Sequence, residues 1–227
     1  YGNLTTTFSV GDTHHQLRVT AESLVTKVGG DRGHLLSPLL SDAVAQLRRR
    51  ETQEELAAVE YQMESPLAPR GAAFARFAEG VLLPDRSLLE GTEALMGLIH
   101  REFEYDPVAT TVSTPVAEVL DGRRGVCQDF AHLMIACLRS HGVPARYVSG
   151  YLVPRPGIVG AQASHAWVSA YCPGIGWIDF DPTNNVMPSH WHITLAWGRD
   201  FEDVSPFKGV TIGGGHHTVS VSVRITT

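Results

Sequence analysis

The spacing of hydrophobic and polar positions changes once along this chain, near residue 144. Before that point apolar residues recur every three or four positions, as in amphipathic helices, and after it they alternate in short runs typical of strands. Helix start and stop signals place the helices at 38–50, 71–79, 87–104, 114–122 and 127–138, with a further helical turn from Thr52. The predicted strands are 145–153, 165–171 and 177–181.

Both ends of the chain also predict strands. Residues 4–28 are rich in Thr and Val and alternate weakly, whereas residues 218–225 alternate strictly. Helices followed by strands indicate an α+β fold rather than an alternating α/β fold. We therefore predict a core at 31–198, an N-terminal β segment at 1–30 and a C-terminal β segment at 199–227. The two terminal segments would form a small flanking β element.

The composition and charge of the chain argue against several kinds of partner. The chain has 227 residues, 43% of them hydrophobic, and a net charge of −6, which argues against a nucleic-acid partner. No apolar run approaches the length of a membrane span, and the first residues lack the pattern of a leader, so no membrane partner is predicted. Three cysteines are too few for a disulfide framework, which favours the reducing cytoplasm. None of these features indicates an oligomeric state.

Cys127 is the most informative residue. It follows the turn at Gly125 and opens the predicted buried helix. A helix N-terminus carries free N–H groups and partial positive charge, and both favour the nucleophilic thiolate. Cys137 lies ten positions further into the helix and Cys172 precedes Pro173-Gly174, so we expect both to be ordinary buried or strand-end residues.

Two later segments supply partners for such a cysteine. His165 opens one predicted strand, and Asp179 and Asp181 share one face of the next. A nucleophile, a base and a carboxylate that orients the base form a catalytic triad, although the chemistry alone does not choose between the two aspartates.

No metal or cofactor is predicted. The adjacent histidine pairs 14–15 and 216–217 point to opposite strand faces, whereas a metal site needs ligands on one face. His190 and His192 would share a face but lack a third ligand. The glycines 213–215 are expected to form a flexible turn, because no phosphate-loop Lys-Ser/Thr follows them.

Three blocks of this sequence resemble the signature of the transglutaminase-like superfamily, in its bacterial branch of cysteine-protease type. They are Gly125-Val126-Cys127 opening a helix, His165-Ala166-Trp167 opening a strand, and Asp181-Pro182-Thr183 ending the next strand. The resemblance extends over 88–185, and 198–206 is similar to the segment that follows the core in that branch. It implies a papain-like core of helices and antiparallel sheet, with Cys127, His165 and Asp181 at the catalytic positions.

This resemblance leaves the reaction open. We expect hydrolysis of a peptide or protein amide through a thioester; the alternatives are transfer to an amine and a binding module that has lost turnover. The N–H of Cys127 is one expected oxyanion donor and Tyr105 a candidate for the second. Trp167 and Trp177 could line a groove beside the thiolate or belong to the core.

Overall fold

The computed structural model describes residues 1–26, 35–161, 163–210, 212–213, 218 and 220–226. Seven α-helices occur in this part of the chain: α1 Leu40–Arg49, α2 Gln53–Val59, α3 Ala72–Ala78, α4 Leu88–Glu102, α5 Val116–Gly122, α6 Cys127–Ser140 and α7 Phe201–Val204. The strands are β1 Glu104–Tyr105, β2 Arg124–Gly125, β3 Ala145–Leu152, β4 His165–Cys172, β5 Gly176–Phe180 and β6 His192–Gly198. A single 3₁₀ turn, Glu60–Gln62, follows α2.

The core lies between α6 and a four-stranded antiparallel sheet of order β5-β4-β3-β6. Every residue of α6 from Asp129 to Arg139 is buried, since the sheet covers one side and α3, α4 and α5 pack around the others. All eight residues of β4 are buried as well. The prediction of an α+β fold with helices before an antiparallel sheet is therefore confirmed.

Local capping signals predicted the starts of α2 and α4 correctly. At α2, the Thr52 hydroxyl accepts the N–H of Glu55, whose carboxylate accepts the N–H of Thr52 in return. The sequence predicts a helix from residue 38, preceded by Ser37 as its opening residue, but α1 begins at Leu40 without a side-chain cap. The Ser37 hydroxyl instead accepts the N–H of Leu89, so a tertiary contact with α4 replaces the local one.

The structure adds a strand that the sequence left unassigned. β6 pairs with β3 at the edge of the sheet, and the side chain of Asn3 exchanges two hydrogen bonds with the backbone of Trp197. The exposure of side chains along β6 does not alternate, and for this reason an alternating pattern did not reveal the strand in the sequence.

The strands predicted at the two ends are wrong for the residues that the structure describes. Residues 1–26, 218 and 220–226 carry no strand, while 27–28 and 219 lie outside the described residues, as do 214–217 of the predicted glycine turn and second histidine pair. An alternating pattern forms a strand only with an edge to pair with and a face to bury, and Leu4 and Leu24 are fully exposed. Within the predicted C-terminal β segment the chain forms the helix α7 instead.

Among the described helices, none combines the length and the apolar character needed to cross a membrane.

Candidate active site

Cys127 is the first residue of α6 and is partly exposed. The turn before it is held by Asp129, whose carboxylate accepts the N–H of Val126 at 2.8 Å and the hydroxyl of Thr110 at 2.6 Å. A Cβ on Gly125 would lie 2.6 Å from the same carboxylate, so the glycine before the cysteine makes room for this cap. The local sequence thus places the thiol at the N-terminal end of a buried helix.

His165 and Asp181 meet at the ends of neighbouring strands. His165 is the first residue of β4, and Asp181 directly follows β5. Their side chains are fully buried, with 2.9 Å between His165 Nε2 and Asp181 Oδ2. Burial opposes ionisation of Asp181, but hydrogen bonds from His165 and His192 hold the pKa of its carboxyl well below the usual range. Because an ionised carboxylate only accepts hydrogen bonds, Nε2 of His165 carries the proton and Nδ1 is the nitrogen left for chemistry.

Asp181 is fixed by five hydrogen bonds in all. Its Oδ1 accepts the backbone N–H groups of Thr183 at 3.0 Å and Asn184 at 3.2 Å. Its Oδ2 accepts Nδ2 of Asn184 at 2.8 Å and Nε2 of His192 at 3.0 Å, in addition to His165. A backbone bridge between Asp181 and Val186 closes this turn. The carboxylate is therefore held in one orientation despite complete burial.

Asp181 and Cys127 both act on the charge of the His165 imidazole. Burial lowers the pKa of His165, but the hydrogen bond with Asp181 and the charges of Asp181 and Cys127 outweigh burial and raise it to about 10. Nδ1 is buried and has no partner at good hydrogen-bond geometry in the described part of the chain. The Gly160 backbone also covers this side, because a Cβ there would lie 2.6 Å from Nδ1. The arrangement favours the imidazolium form, which is the partner that a thiolate needs.

The aromatic residues around the site have distinct roles. Trp167 is completely buried and stacks on the His165 ring at 6.3 Å between centroids, so it belongs to the core and not to an open groove. Trp177 packs edge-on against Tyr61 and Tyr171. Burial and the charge of Cys127 raise the pKa of Tyr105. Because Cys127 acts on this pKa, the phenol lies within electrostatic range of the thiol.

The other candidates from the sequence, two cysteines and Asp179, differ from Cys127 and Asp181 in their surroundings. Burial raises the pKa of the Cys137 thiol far above its ordinary value and that of Cys172 to about 11, so neither favours a thiolate. Asp179 is only partly buried, and its charge acts on Arg146 of β3, whereas Asp181 contacts His165. The structure thus brings His165 together with Asp181 and not with Asp179.

The contacts of His192 and Asn184 with Asp181 depend on tertiary structure, so no sequence pattern predicted them. His165, Asp181 and His192 are also the one group among the described residues with the composition of a metal site, since their ligand atoms lie within 4.8 Å of one another. Two imidazoles and a carboxylate suit zinc and similar ions. Of the pair His190 and His192, only His192 belongs to this group, and its two partners come from β4 and from the residue after β5.

Comparison with known proteins places this geometry in a family. Residues 75–182, which include Cys127, His165 and Asp181, match the model of the transglutaminase-like superfamily. An uncharacterized protein of Mycobacterium tuberculosis is 36% identical over 236 residues, covering 99% of this chain and 74% of its own length. A protein-glutamine gamma-glutamyltransferase of Pseudomonas aeruginosa is 34% identical over 109 residues, which cover 42% of this chain and 16% of that protein.

One solved structure is similar in fold as well as in sequence. It is the "Putative Cysteine Protease" from Cytophaga hutchinsonii, with a TM-score of 0.57 and 28% identity over 66% of this chain. This chain spans about half of that protein, 49%. The family model, the extended match to the mycobacterial relative and the shared fold agree with the three sequence blocks, and the chain belongs to the transglutaminase-like superfamily.

Proposed function

We propose that this protein hydrolyses peptide or protein amide bonds with Cys127 as nucleophile, His165 as general base and acid, and Asp181 as the carboxylate that orients His165. The observation that carries the proposal is the 2.9 Å contact between His165 Nε2 and Asp181 Oδ2. It fixes the imidazole so that Nδ1 is the nitrogen available to the partly exposed Cys127 at the start of α6.

The reaction would proceed in two balanced steps. The Cys127 thiolate attacks the amide carbon, the carbon–nitrogen bond breaks, and the imidazolium of His165 gives its proton to the leaving amine. The product of this step is a thioester on Cys127 and a neutral His165. Water then attacks the thioester while His165 takes one of its protons. Cleavage of the carbon–sulfur bond releases the acid and restores the thiolate and imidazolium.

The oxyanion of each tetrahedral intermediate requires donors already in position. The backbone N–H of Cys127 is the first we propose, because the first N–H groups of a helix have no carbonyl partner within it. Tyr105 is the second, since its phenol lies within electrostatic range of Cys127. Tyr147 is near Cys127 as well, but it is buried, which makes it less suited to contact a substrate.

Transfer of the acyl group to an amine is the second candidate. It is favoured by the similarity to the glutamyltransferase of Pseudomonas aeruginosa over the segment that matches. Water is present at about 55 M, so transfer wins only where a second pocket holds the amine and excludes water. We place hydrolysis first for that reason.

The decisive experiment incubates the protein with a library of amide-bearing peptides and a labelled primary amine at millimolar concentration. Mass spectrometry then compares hydrolysed product with amine adduct. We expect hydrolysed product that disappears in Cys127→Ala. Predominant adduct with the same dependence on Cys127 would make the protein a transferase.

A catalytically silent binding module gives a third result in the same assay. Iodoacetamide at about pH 6.5, where an ordinary thiol is mostly protonated, should label Cys127 much faster than Cys137 or Cys172. Equal slow labelling of all three, with no turnover, would mean that the site is blocked. Cys137→Ala is the matched control, because it removes a thiol from the same helix.

The proposed reaction uses no metal and takes place in a reducing compartment, the cytoplasm. The triad supplies both nucleophile and base, so chelation by EDTA should leave the rate unchanged in a reducing buffer. A reversible loss that one divalent ion restores would instead assign a role in turnover to the His165–Asp181–His192 cluster. Cell fractionation tests the compartment.

A further inference from the structure

His192 and His165 contact the same carboxylate, that of Asp181. His165 lies on β4 and His192 on β6, the two strands that flank β3 in the sheet. His192 is the first residue of β6 and is buried. Its Nε2 is 3.0 Å from Asp181 Oδ2, the oxygen that His165 Nε2 contacts at 2.9 Å. Since the ionised carboxylate only accepts, both imidazoles donate from Nε2 to a single oxygen. Two rings from two strands thus contribute to the orientation of Asp181.

The backbone is shaped to bring His192 to this position. β3 lies between β4 and β6, and its Gly150 pairs with His165 while Leu152 pairs with His192. The pairing of β3 with β6 changes register between Ser149 and Gly150. Such irregularities redirect side chains and are enriched beside active sites. The shift therefore sets which residue of β6 points at Asp181.

Glycine is required where the two strands approach. A Cβ at Gly150 would lie 2.1 Å from the carbonyl oxygen of Ile193, the residue after His192, and 2.4 Å from the ring of Trp167. No side chain can be accommodated at those distances, so only glycine lets β6 come this close.

Trp167 completes the enclosure of both imidazoles. Its ring stacks on His165 and meets the His192 ring edge-on at 5.2 Å between centroids. A buried indole that touches both rings limits their rotation. The ring of His192 is therefore held by packing as well as by its hydrogen bond.

We propose that His192 is a positioning residue that fixes Asp181 and, through Asp181, keeps the His165 imidazole aligned with Cys127. The proposal rests on the proposed function for its catalytic consequence, although its structural part stands without it. Loss of the His192 donor removes one of the five hydrogen bonds that hold Asp181, so the carboxylate that accepts the His165 Nε2–H is less tightly fixed.

Two substitutions separate the hydrogen bond from the volume that it occupies. His192→Leu fills the space without a donor, whereas the amide nitrogen of His192→Gln can donate from near the position of Nε2. The matched control is His141→Leu, at the C-terminal end of α6, where the imidazole donates to the carbonyl of Ala75 at 3.1 Å.

Nitrogen-15 spectra of the imidazoles test the structural part without any substrate. In the wild-type protein His165 and His192 should both be protonated at Nε2. In His192→Leu the His165 Nε2–H signal should move or broaden, and in His192→Gln it should return towards the wild-type position. His141→Leu should leave it unchanged.

Kinetics on a peptide substrate test the catalytic part. We expect His192→Leu to lower kcat by about 10- to 100-fold, the range for loss of one hydrogen bond to a charged group, with KM changed by less than about threefold. His192→Gln should recover most of the loss. Labelling of Cys127 by iodoacetamide should slow in His192→Leu by a similar factor.

The outcomes distinguish this inference from the proposed function. If no turnover depends on Cys127, the proposed function fails, and the spectra still decide the position of His192. A His165 signal and a Cys127 labelling rate that are unchanged in His192→Leu would overturn the inference even if that variant melts earlier. Should His192→Leu not fold, a wild-type His192 protonated at Nδ1 and not at Nε2 would overturn it as well.

Discussion

Two buried charges in this molecule are stabilised by different kinds of hydrogen-bond partner. Arg139, near the end of α6, and Asp181, after β5, are both completely buried. The Arg139 guanidinium donates to the carbonyl oxygens of Tyr61, Ala68, Ala145 and Arg199 and to the hydroxyl of Ser65. Asp181 accepts two backbone N–H groups, the amide of Asn184 and two imidazoles. Only the aspartate has partners that change their protonation.

The difference in partners suggests different roles for the two charges: Arg139 holds the fold together, whereas Asp181 takes part in the chemistry of the proposed site. The carbonyl groups around Arg139 do not titrate, and they tie the end of α6 to β3 and to the turn before α7. Burial lowers the pKa of Arg139 to about 10, which still leaves it charged at neutral pH. The His165 imidazole beside Asp181 can take up or release a proton, so the energy of this cluster depends on proton transfer. Four predictions test the contrast.

The largest effect should follow substitution of Asp181. Asp181→Asn keeps the shape of the side chain but removes the charge that orients and stabilises the His165 imidazolium. We expect kcat to fall by about 10⁴-fold, as loss of the equivalent carboxylate does in a serine protease. Steady-state kinetics and a thermal melt would be measured together.

Asp179→Asn is the matched control, two residues earlier and partly exposed. It should change kcat by less than about threefold, because a partly exposed charge is screened by solvent. A dead Asp179→Asn beside an active Asp181→Asn would contradict the assignment of the triad.

Substitution of Arg139 should affect stability and leave the chemistry intact. Arg139→Met removes the donor to five oxygen acceptors, and at least three of these, on Tyr61, Ser65 and Ala145, are buried. We expect the free energy of unfolding to fall by about 3–5 kcal/mol, since each buried unsatisfied group costs about 1 kcal/mol or more. Urea denaturation gives the value, and Arg139→Lys should lose less.

The folded fraction of Arg139→Met should still label Cys127 at the wild-type rate. A slower rate at unchanged stability would mean that Arg139 acts on the site and that the two charges are not separate.

Two buried histidines should give opposite pH dependences. Burial lowers the pKa of His132 to about 4, and its Nε2 accepts the N–H of Phe201 at 3.2 Å, which requires the neutral ring. His132 therefore contributes stability above pH 6.5, its ordinary value, that is lost as the pH falls towards 4. At about 1.4 kcal/mol per pH unit, the loss is about 3 kcal/mol.

The sign reverses for His165, whose pKa is raised to about 10. Its contribution is fully present below pH 6.5 and is lost as the pH rises through about 10. Unfolding free energies measured across this range should fall at both ends. His132→Leu should remove the acid slope and His165→Gln the alkaline one; an unaltered acid slope in His132→Leu would contradict the assignment.

Local signals predicted the parts of this structure that are determined locally. The apolar run of α6 and the capping pair of Thr52 and Glu55 gave the helices, and the short alternating runs gave β3, β4 and β5. The order of three sequence blocks gave Cys127, His165 and Asp181, two of which the structure brings into direct contact.

The remaining parts depend on contacts between distant segments. β6 has irregular exposure and a shifted register, so no period revealed it or the contact of His192 with Asp181. Arg139 resembles an ordinary basic residue near a helix C-terminus, and only the tertiary structure buries it. Residues 4–26 show the converse, since their alternation meets no partner strand among the described residues.

The smallest expected effect concerns the side of His165 that Asp181 does not hold. Gly160 and Gly157 lie in the same loop with φ of +91° and +80°, a region that other residues adopt at a cost. A Cβ at Gly160 would lie 2.6 Å from His165 Nδ1, whereas one at Gly157 would meet nothing within 4 Å.

Each change to alanine should therefore cost about 1 kcal/mol of stability through the backbone. Only Gly160→Ala should also displace the imidazole, and it should slow labelling of Cys127 and turnover by about tenfold, equivalent to about 1.4 kcal/mol. Equal rates in the two variants, after correction for the folded fraction, would show that this loop does not constrain the base and that Asp181 and its partners position His165 without it.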